Sequence, residues 1–176
     1  MTLAEFRQRI ADQRLLRFFD YWLRIRGDRL MPGWEDIRPE EIASLLPNVW
    51  AWQIDKDGQP RVRLVGEKIA QMFATVTKGK TLFDLYPPSY AGDILAEFKR
   101  ITSEPACSHL IGKLEDADLP IGTGERLALP YGAGERLVTG IIGISYHQRT
   151  GPIYTSLATF SKLTGEMHFL SLGVPE

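Results

Sequence analysis

The stretch NVWAWQIDKDGQPRVRLVG, residues 48–66, decides the fold. Asn48 to Asp55 is rich in β-formers, and Trp50, Trp52 and Ile54 take alternate positions, hence one face of a strand. Asp57-Gly58 is a dipeptide that tight turns favour. Arg61 to Val65 alternates again, with Val62 and Leu64 on one face and Arg61 and Arg63 on the other. Together these predict a β-hairpin, ended by Gly66.

Upstream the period is helical. From Asp12 to Arg26, Leu15, Phe19 and Trp22 recur at i, i+4 and i+7, and Leu16, Phe18, Leu23 and Ile25 widen the apolar stripe. Gly27 suits the C-terminal cap. A short helix opens at Pro39, with Glu40 and Glu41 at its electropositive end, Ile42, Leu45 and Leu46 as its buried side, and Pro47 as its stop.

Downstream, Ile69, Met72 and Phe73 stand at helical spacing. Gly79 opens a loop segment with Leu82, Phe83 and Leu85, closed by Pro87 and Pro88. Ser89 is the expected N-cap of a helix on which Tyr90, Ile94, Phe98 and Ile101 repeat. Three strands are then expected: Ala106–Leu114, Arg126–Tyr131 and Leu137–Tyr146. Pro130 places the second at an edge or a bulge, and Gly132-Ala133-Gly134 turns it into the third. A final hairpin of Ile153–Phe160 and Met167–Leu172 is expected around Thr164-Gly165. The expected division is an N-terminal helix over 1–30, a central domain over 31–150 and a C-terminal extension over 151–176. Strands gathered with helices in this order suit an α+β domain built on an antiparallel sheet.

The order β-β-α-α-α-β-β-β is similar to that of a PAS domain. The ordered segments resemble a bacterial family of small, mostly stand-alone PAS-like proteins of the alphaproteobacterial type. They are Tyr21-Trp22 before Arg26-Gly27; Asp36-Ile37-Arg38-Pro39; Leu46-Pro47; Arg63-Leu64-Val65-Gly66; Gly79 with Leu82-Phe83-Asp84-Leu85; and Leu129-Pro130-Tyr131. The chain departs from that family at Gly66-Glu67, where Gly-Thr is frequent, and in the glycine-free stretch Ala74 to Lys78. The resemblance implies a five-stranded antiparallel sheet with short helices forming a cup on one face, a role in signalling, and no catalytic residues to carry over. Light-sensing relatives need an Asn-Cys-Arg-like motif after the second strand, and haem-binding ones a histidine on the long helix. Tyr90 to Ile101 has no histidine and no such motif occurs, so neither flavin nor haem is expected.

Composition narrows the partners. With 21 basic and 22 acidic residues the net charge is -1, and no basic stripe points to nucleic acid. A lone cysteine, Cys107, excludes an internal disulfide framework. No apolar run approaches the roughly 20 residues that span a bilayer, and Glu5, Arg7 and Arg9 break any signal-like start. The expectation is a cytoplasmic protein without membrane contact.

The sites follow. Trp50, Trp52, Phe73, Phe83 and Phe98 are candidates to line a ligand cup, with Arg63 as its polar group if that face turns inward; the same residues equally serve a filled core. Leu15, Phe19 and Trp22 either pack on the chain's own sheet or pair with a second copy in a homodimer. His109 and His147 lie on neighbouring expected strands, so a contact between them, joined by Glu115, is the constellation an enzyme would need. No HExxH or i, i+4 histidine pair signals a metal. Glu115, Asp116 and Asp118, and Gly122-Thr123-Gly124-Glu125, read as solvated loops, and Cys107 as a buried structural residue. The expected function is a non-catalytic sensory or regulatory domain that binds a small ligand, a signalling protein, or both. A small enzyme on a cupped scaffold and a structural adaptor with a filled core are the rivals.

Overall fold

Six strands form one antiparallel sheet: β1 (Val49–Ile54), β2 (Pro60–Val65), β3 (Ala106–Asp116), β4 (Leu119–Ala133), β5 (Leu137–Arg149) and β6 (Ser161–Ser171). Their order is β2-β1-β5-β4-β3-β6. The computed structural model describes residues 1–72, 77–116, 119–133, 136–150 and 161–173. The count is six rather than the expected five. The additional strand is β6, which runs beside the whole of β3 from Ala106 opposite Ser171 to Asp116 opposite Ser161. Thr164 and Gly165, expected at a turn, lie within β6, and the expected strand Ile153–Phe160 lies outside the described residues.

The hairpin of residues 48–66 forms, with one difference. Trp52 stands opposite Val62 and Ala51 opposite Leu64, so Arg63 is an extra residue in a bulge. The bulge separates Val62 and Leu64, which strict alternation put on one face: Val62 joins the cluster under Trp50 and Trp52, and Leu64 packs against the opposite cluster. Pro130 sits in the otherwise central β4. Pairing with β3 is recorded only as far as Ala128 opposite Ser108, so β4 is locally an edge where the proline lacks its N–H. Its carbonyl accepts the indole N–H of Trp22 at 2.9 Å.

Both faces of the sheet are covered, because alternate residues of each strand point opposite ways. On the outer face lie α1 (Leu3–Arg9) and α2 (Gln13–Arg26). Asp12 caps α2 by accepting the Arg14 N–H at 2.8 Å, and Gly27 ends it at a φ of 57° that favours glycine. The α1 helix was not read from sequence. Its signature is the capping box of Thr2 and Glu5, whose side chains take each other's backbone N–H. Phe6, Leu15, Phe19 and Trp22 are buried here against Val49, Ala51, Leu127, Leu129 and Ile144.

On the inner face lie α3 (Glu67–Met72), the single turn α4 (Leu82–Leu85) and α5 (Pro88–Ser103). The α5 helix starts two residues earlier than expected. Pro88 takes the first helical position and Pro87, not Ser89, is the N-cap. Tyr90, Ile94, Phe98 and Ile101 all face the sheet. Three short 3-10 turns at Trp34–Asp36, Pro39–Ile42 and Leu46–Asn48 lead from α2 into β1.

Three glycines stand in register across the sheet: Gly165 opposite Gly112, and Gly112 opposite Gly124, with His147 of β5 next in the row. A Cβ on Gly112 would fall on the Thr164 carbonyl oxygen, and one on Gly165 on that of Ile111. Glycine here allows a close backbone approach. The segment 122–125, expected as a loop turn, is therefore the middle of a strand.

Candidate ligand cup

Between the inner face of the sheet and the helices α3, α4 and α5 is a cavity of about 60 Å³. Its aromatic wall follows from the hairpin's alternation, which sends Trp50 and Trp52 inward, and from the helical period of α5, which brings Phe98 to meet them. The Phe98 ring stacks on Trp50 at 6.3 Å and meets Trp52 edge-on at 5.8 Å. Tyr86 and Tyr90 add an edge-to-face pair at 5.4 Å. An apolar cavity that holds benzene measures about 150 Å³, and drug-sized ligands occupy roughly 300 Å³ or more. The present space therefore fits waters or a ligand of a few heavy atoms unless an aromatic ring moves.

One wall is polar. Arg126 of β4 reaches it with its side chain only 12 % exposed, paired to Glu97 of α5, which is 2 % exposed. The second Glu97 oxygen accepts the Ser108 hydroxyl at 2.5 Å. Burial is the largest influence on Arg126 and opposes its charge, but Glu97, with Tyr90 and Tyr86, outweighs it and holds the guanidinium protonated. Ser145 accepts the Trp50 indole N–H at 2.8 Å, which fixes that ring. His147, the last polar residue of the wall, is pushed down to about 4 by burial and by the cations Arg126 and Arg149, so it is neutral near pH 7. Arg126 Nε and His147 Nδ1 are both buried without a hydrogen-bond partner among the described residues.

Of the residues singled out from sequence, Trp50, Trp52 and Phe98 line this cavity. Phe73 lies outside the described residues. Phe83 is 54 % exposed on α4 and does not reach it. Arg63, next to the inward-facing Val62, points to the outer face, where its guanidinium lies 3.8 Å above the Trp34 ring. The cavity's cation is Arg126 instead. Nothing in the sequence around Arg126 marks it, since it stands at the first position of an expected strand with no local motif. Leu15, Phe19 and Trp22 take the first of their two alternatives. They are at most 1 % exposed against the chain's own sheet, so their side chains are occupied within the chain.

The histidine contact is not formed. His109 points to the outer face and His147 to the inner, on opposite sides of the sheet. His109 stacks instead on His168 at 5.8 Å and holds Glu125 at 2.7 Å through Nε2. Glu125 also accepts the N–H groups of Ala11 and Asp12, both at 2.8 Å, tying the junction of α1 and α2 to the sheet. Glu115 and Asp116 end β3 rather than lying in a loop, and Asp118 is outside the described residues. Among the described residues no cluster of three or more His, Cys, Asp or Glu has metal-binding geometry. Cys107 is fully buried and its thiol is pushed up by that burial, which leaves it unreactive. No helix among the described residues is long and apolar enough to cross a membrane.

A protein-family model described as a PAS domain matches residues 10–144. The chain belongs to the PAS domain family. No curated protein sequence matches it. In this PAS domain the matched span runs from the end of α1 into β5, so β6 and His147 lie beyond it. PAS domains are generally sensory or regulatory modules without catalytic groups of their own, and the α+β sheet with helices over the cup is the architecture of that family.

Proposed function

We propose that this PAS domain is a sensory module whose inner cup receives a small ligand and whose state is read by a partner protein. The observation that carries this is the cavity between Trp50, Trp52 and Phe98 with a buried polar wall at Arg126 and His147. His109 Nδ1 is also unpartnered among the described residues, on the outer face, but Arg126 Nε and His147 Nδ1 belong to residues that border a cavity, where a ligand's polar groups would offset their desolvation. Ligand acts only by binding two conformations unequally, and the layer over the cup is the element it would bias. Neither haem nor flavin is part of this proposal; both are far larger than the space.

A second reading has its own support. A cavity of about 60 Å³ is small beside ordinary ligand sites, which favours an adaptor with a nearly filled core that works through its surface. Native mass spectrometry of protein purified gently from its own host separates the two and gives the oligomeric state at once. A reproducible extra mass lost on denaturation supports the sensor. A clean protein mass from cells in every growth state tested supports the adaptor.

A further inference from the structure

The polar wall carries more than the existence of a ligand; it limits what the ligand is. We infer that the cup selects a small uncharged molecule that offers a hydrogen-bond acceptor to Arg126 Nε–H, with its apolar part against Trp50, Trp52 and Phe98. This rests on the sensory cup proposed above.

The charge balance decides the class. A guanidinium N–H only donates, so the free Nε of Arg126 calls for an acceptor. The positive charge of Arg126 is already met by Glu97, itself buried and engaged by Ser108. A ligand carboxylate would set two anions against one cation in a low-dielectric space. An ammonium group would face Arg126 directly. His147 is neutral, and its unpartnered Nδ1 donates or accepts according to tautomer, so it suits the second polar group of an amide, ketone or small heterocycle. The volume of about 60 Å³ restricts the molecule to a few heavy atoms.

His147 also indicates the route in. It borders the cavity on one side and, on the other, a surface groove with Asn48, Lys68 and Gln148. His147 is the residue the two share, and Gly124 leaves the space in which its ring lies.

The test is nuclear magnetic resonance on the ¹⁵N-labelled full chain, titrated with acetamide, acetate and methylammonium, and separately pressurised with xenon as an apolar probe. Acetamide is expected to shift the amides of Arg126, Ser145 and His147 saturably, with acetate and methylammonium at least about tenfold weaker. Glu97→Leu/Arg126→Met, which leaves the wall uncharged, and Arg126→Lys, which keeps an ion pair but moves the donor, should each weaken acetamide about tenfold while xenon still enters. Acetate binding more tightly than acetamide, or acetamide unaffected in both variants, overturns the inference. Xenon entering where acetamide does not leaves the cup standing and removes its polar selectivity. Exclusion of both probes removes the cup as a ligand site and the inference with it.

Discussion

Replacing Arg126 by methionine should unsettle the fold more than its position near the sheet's inner wall suggests. Its side chain is 12 % exposed and its partner Glu97 2 % exposed, so the substitution strands a carboxylate that, among the described residues, keeps the Ser108 hydroxyl as its hydrogen-bond partner. Breaking such a buried pair from one side costs about 3–5 kcal/mol. That is a large share of the roughly 5–15 kcal/mol by which domains are stable. With a urea slope of about 2 kcal/mol per molar, the midpoint should fall by about 2 M. Glu97→Leu alone strands the guanidinium and should cost a similar amount. The double substitution Glu97→Leu/Arg126→Met removes both charges, and should lie within about 2 kcal/mol of the wild type once the orphaned Ser108 hydroxyl is included. Urea unfolding of the four proteins, followed by circular dichroism at pH 7, gives the coupling directly. Single substitutions that cost under about 1 kcal/mol each and add in the double would refute the buried pair as a closed electrostatic unit.

Three further outcomes follow from the same geometry. His147 is held near 4 in the fold against 6.5 in the unfolded chain, so the unfolded state binds more protons between those values and stability falls as pH drops from 6.5 toward 4; His147→Gln should remove up to about 3 kcal/mol of that slope, and unchanged pH curves for the two proteins would contradict it. Trp22→Phe should cost about 1–2 kcal/mol by orphaning the Pro130 carbonyl and Trp22→Ala about 3–5 kcal/mol in thermal or urea unfolding, whereas unchanged stability with an altered oligomeric state would return Trp22 to a dimer surface. A Cβ on Gly124 would lie 2.8 Å from His147 Cδ2 and 2.9 Å from Leu163 Cδ1, so Gly124→Ala should cost about 1–3 kcal/mol and be partly rescued by His147→Ala; a stable Gly124→Ala protein with native His147 resonances would argue against that contact.

The sequence carried the central layer of this molecule well and its edges poorly. Alternation at Trp50 and Trp52 and the helical recurrence of Tyr90, Ile94, Phe98 and Ile101 each report one element's buried face, and local periodicity suffices for that. The bulge at Arg63 escaped because an inserted residue leaves the apolar pattern intact while moving half of it to the other face. The strand through Gly122 and Gly124 escaped for the opposite reason: its glycines carry the local signature of a turn, and only the neighbouring strands make them necessary. The Arg126–Glu97 pair joins α5 to β4 across 29 residues of chain, and nothing local to either residue announces it. Phe98 was legible as a wall of the cup from its own helix, whereas the charged half of that wall belongs to tertiary structure alone.

The row Gly165–Gly112–Gly124 has a consequence for the space on the sheet's inner face. Gly112 and Gly165 are not among the residues that border the cup, yet they govern how closely β6 approaches β3, and Leu163 of β6 does border it, its N–H held by the Tyr90 hydroxyl at 3.3 Å. A methyl group added at Gly112 or Gly165 would meet a backbone carbonyl oxygen of the neighbouring strand, so β3 and β6 would have to separate and Leu163 would move with β6. The chamber would change shape with no lining residue substituted. The space beside Arg126 and His147 is therefore shaped in part by two glycines that do not line it.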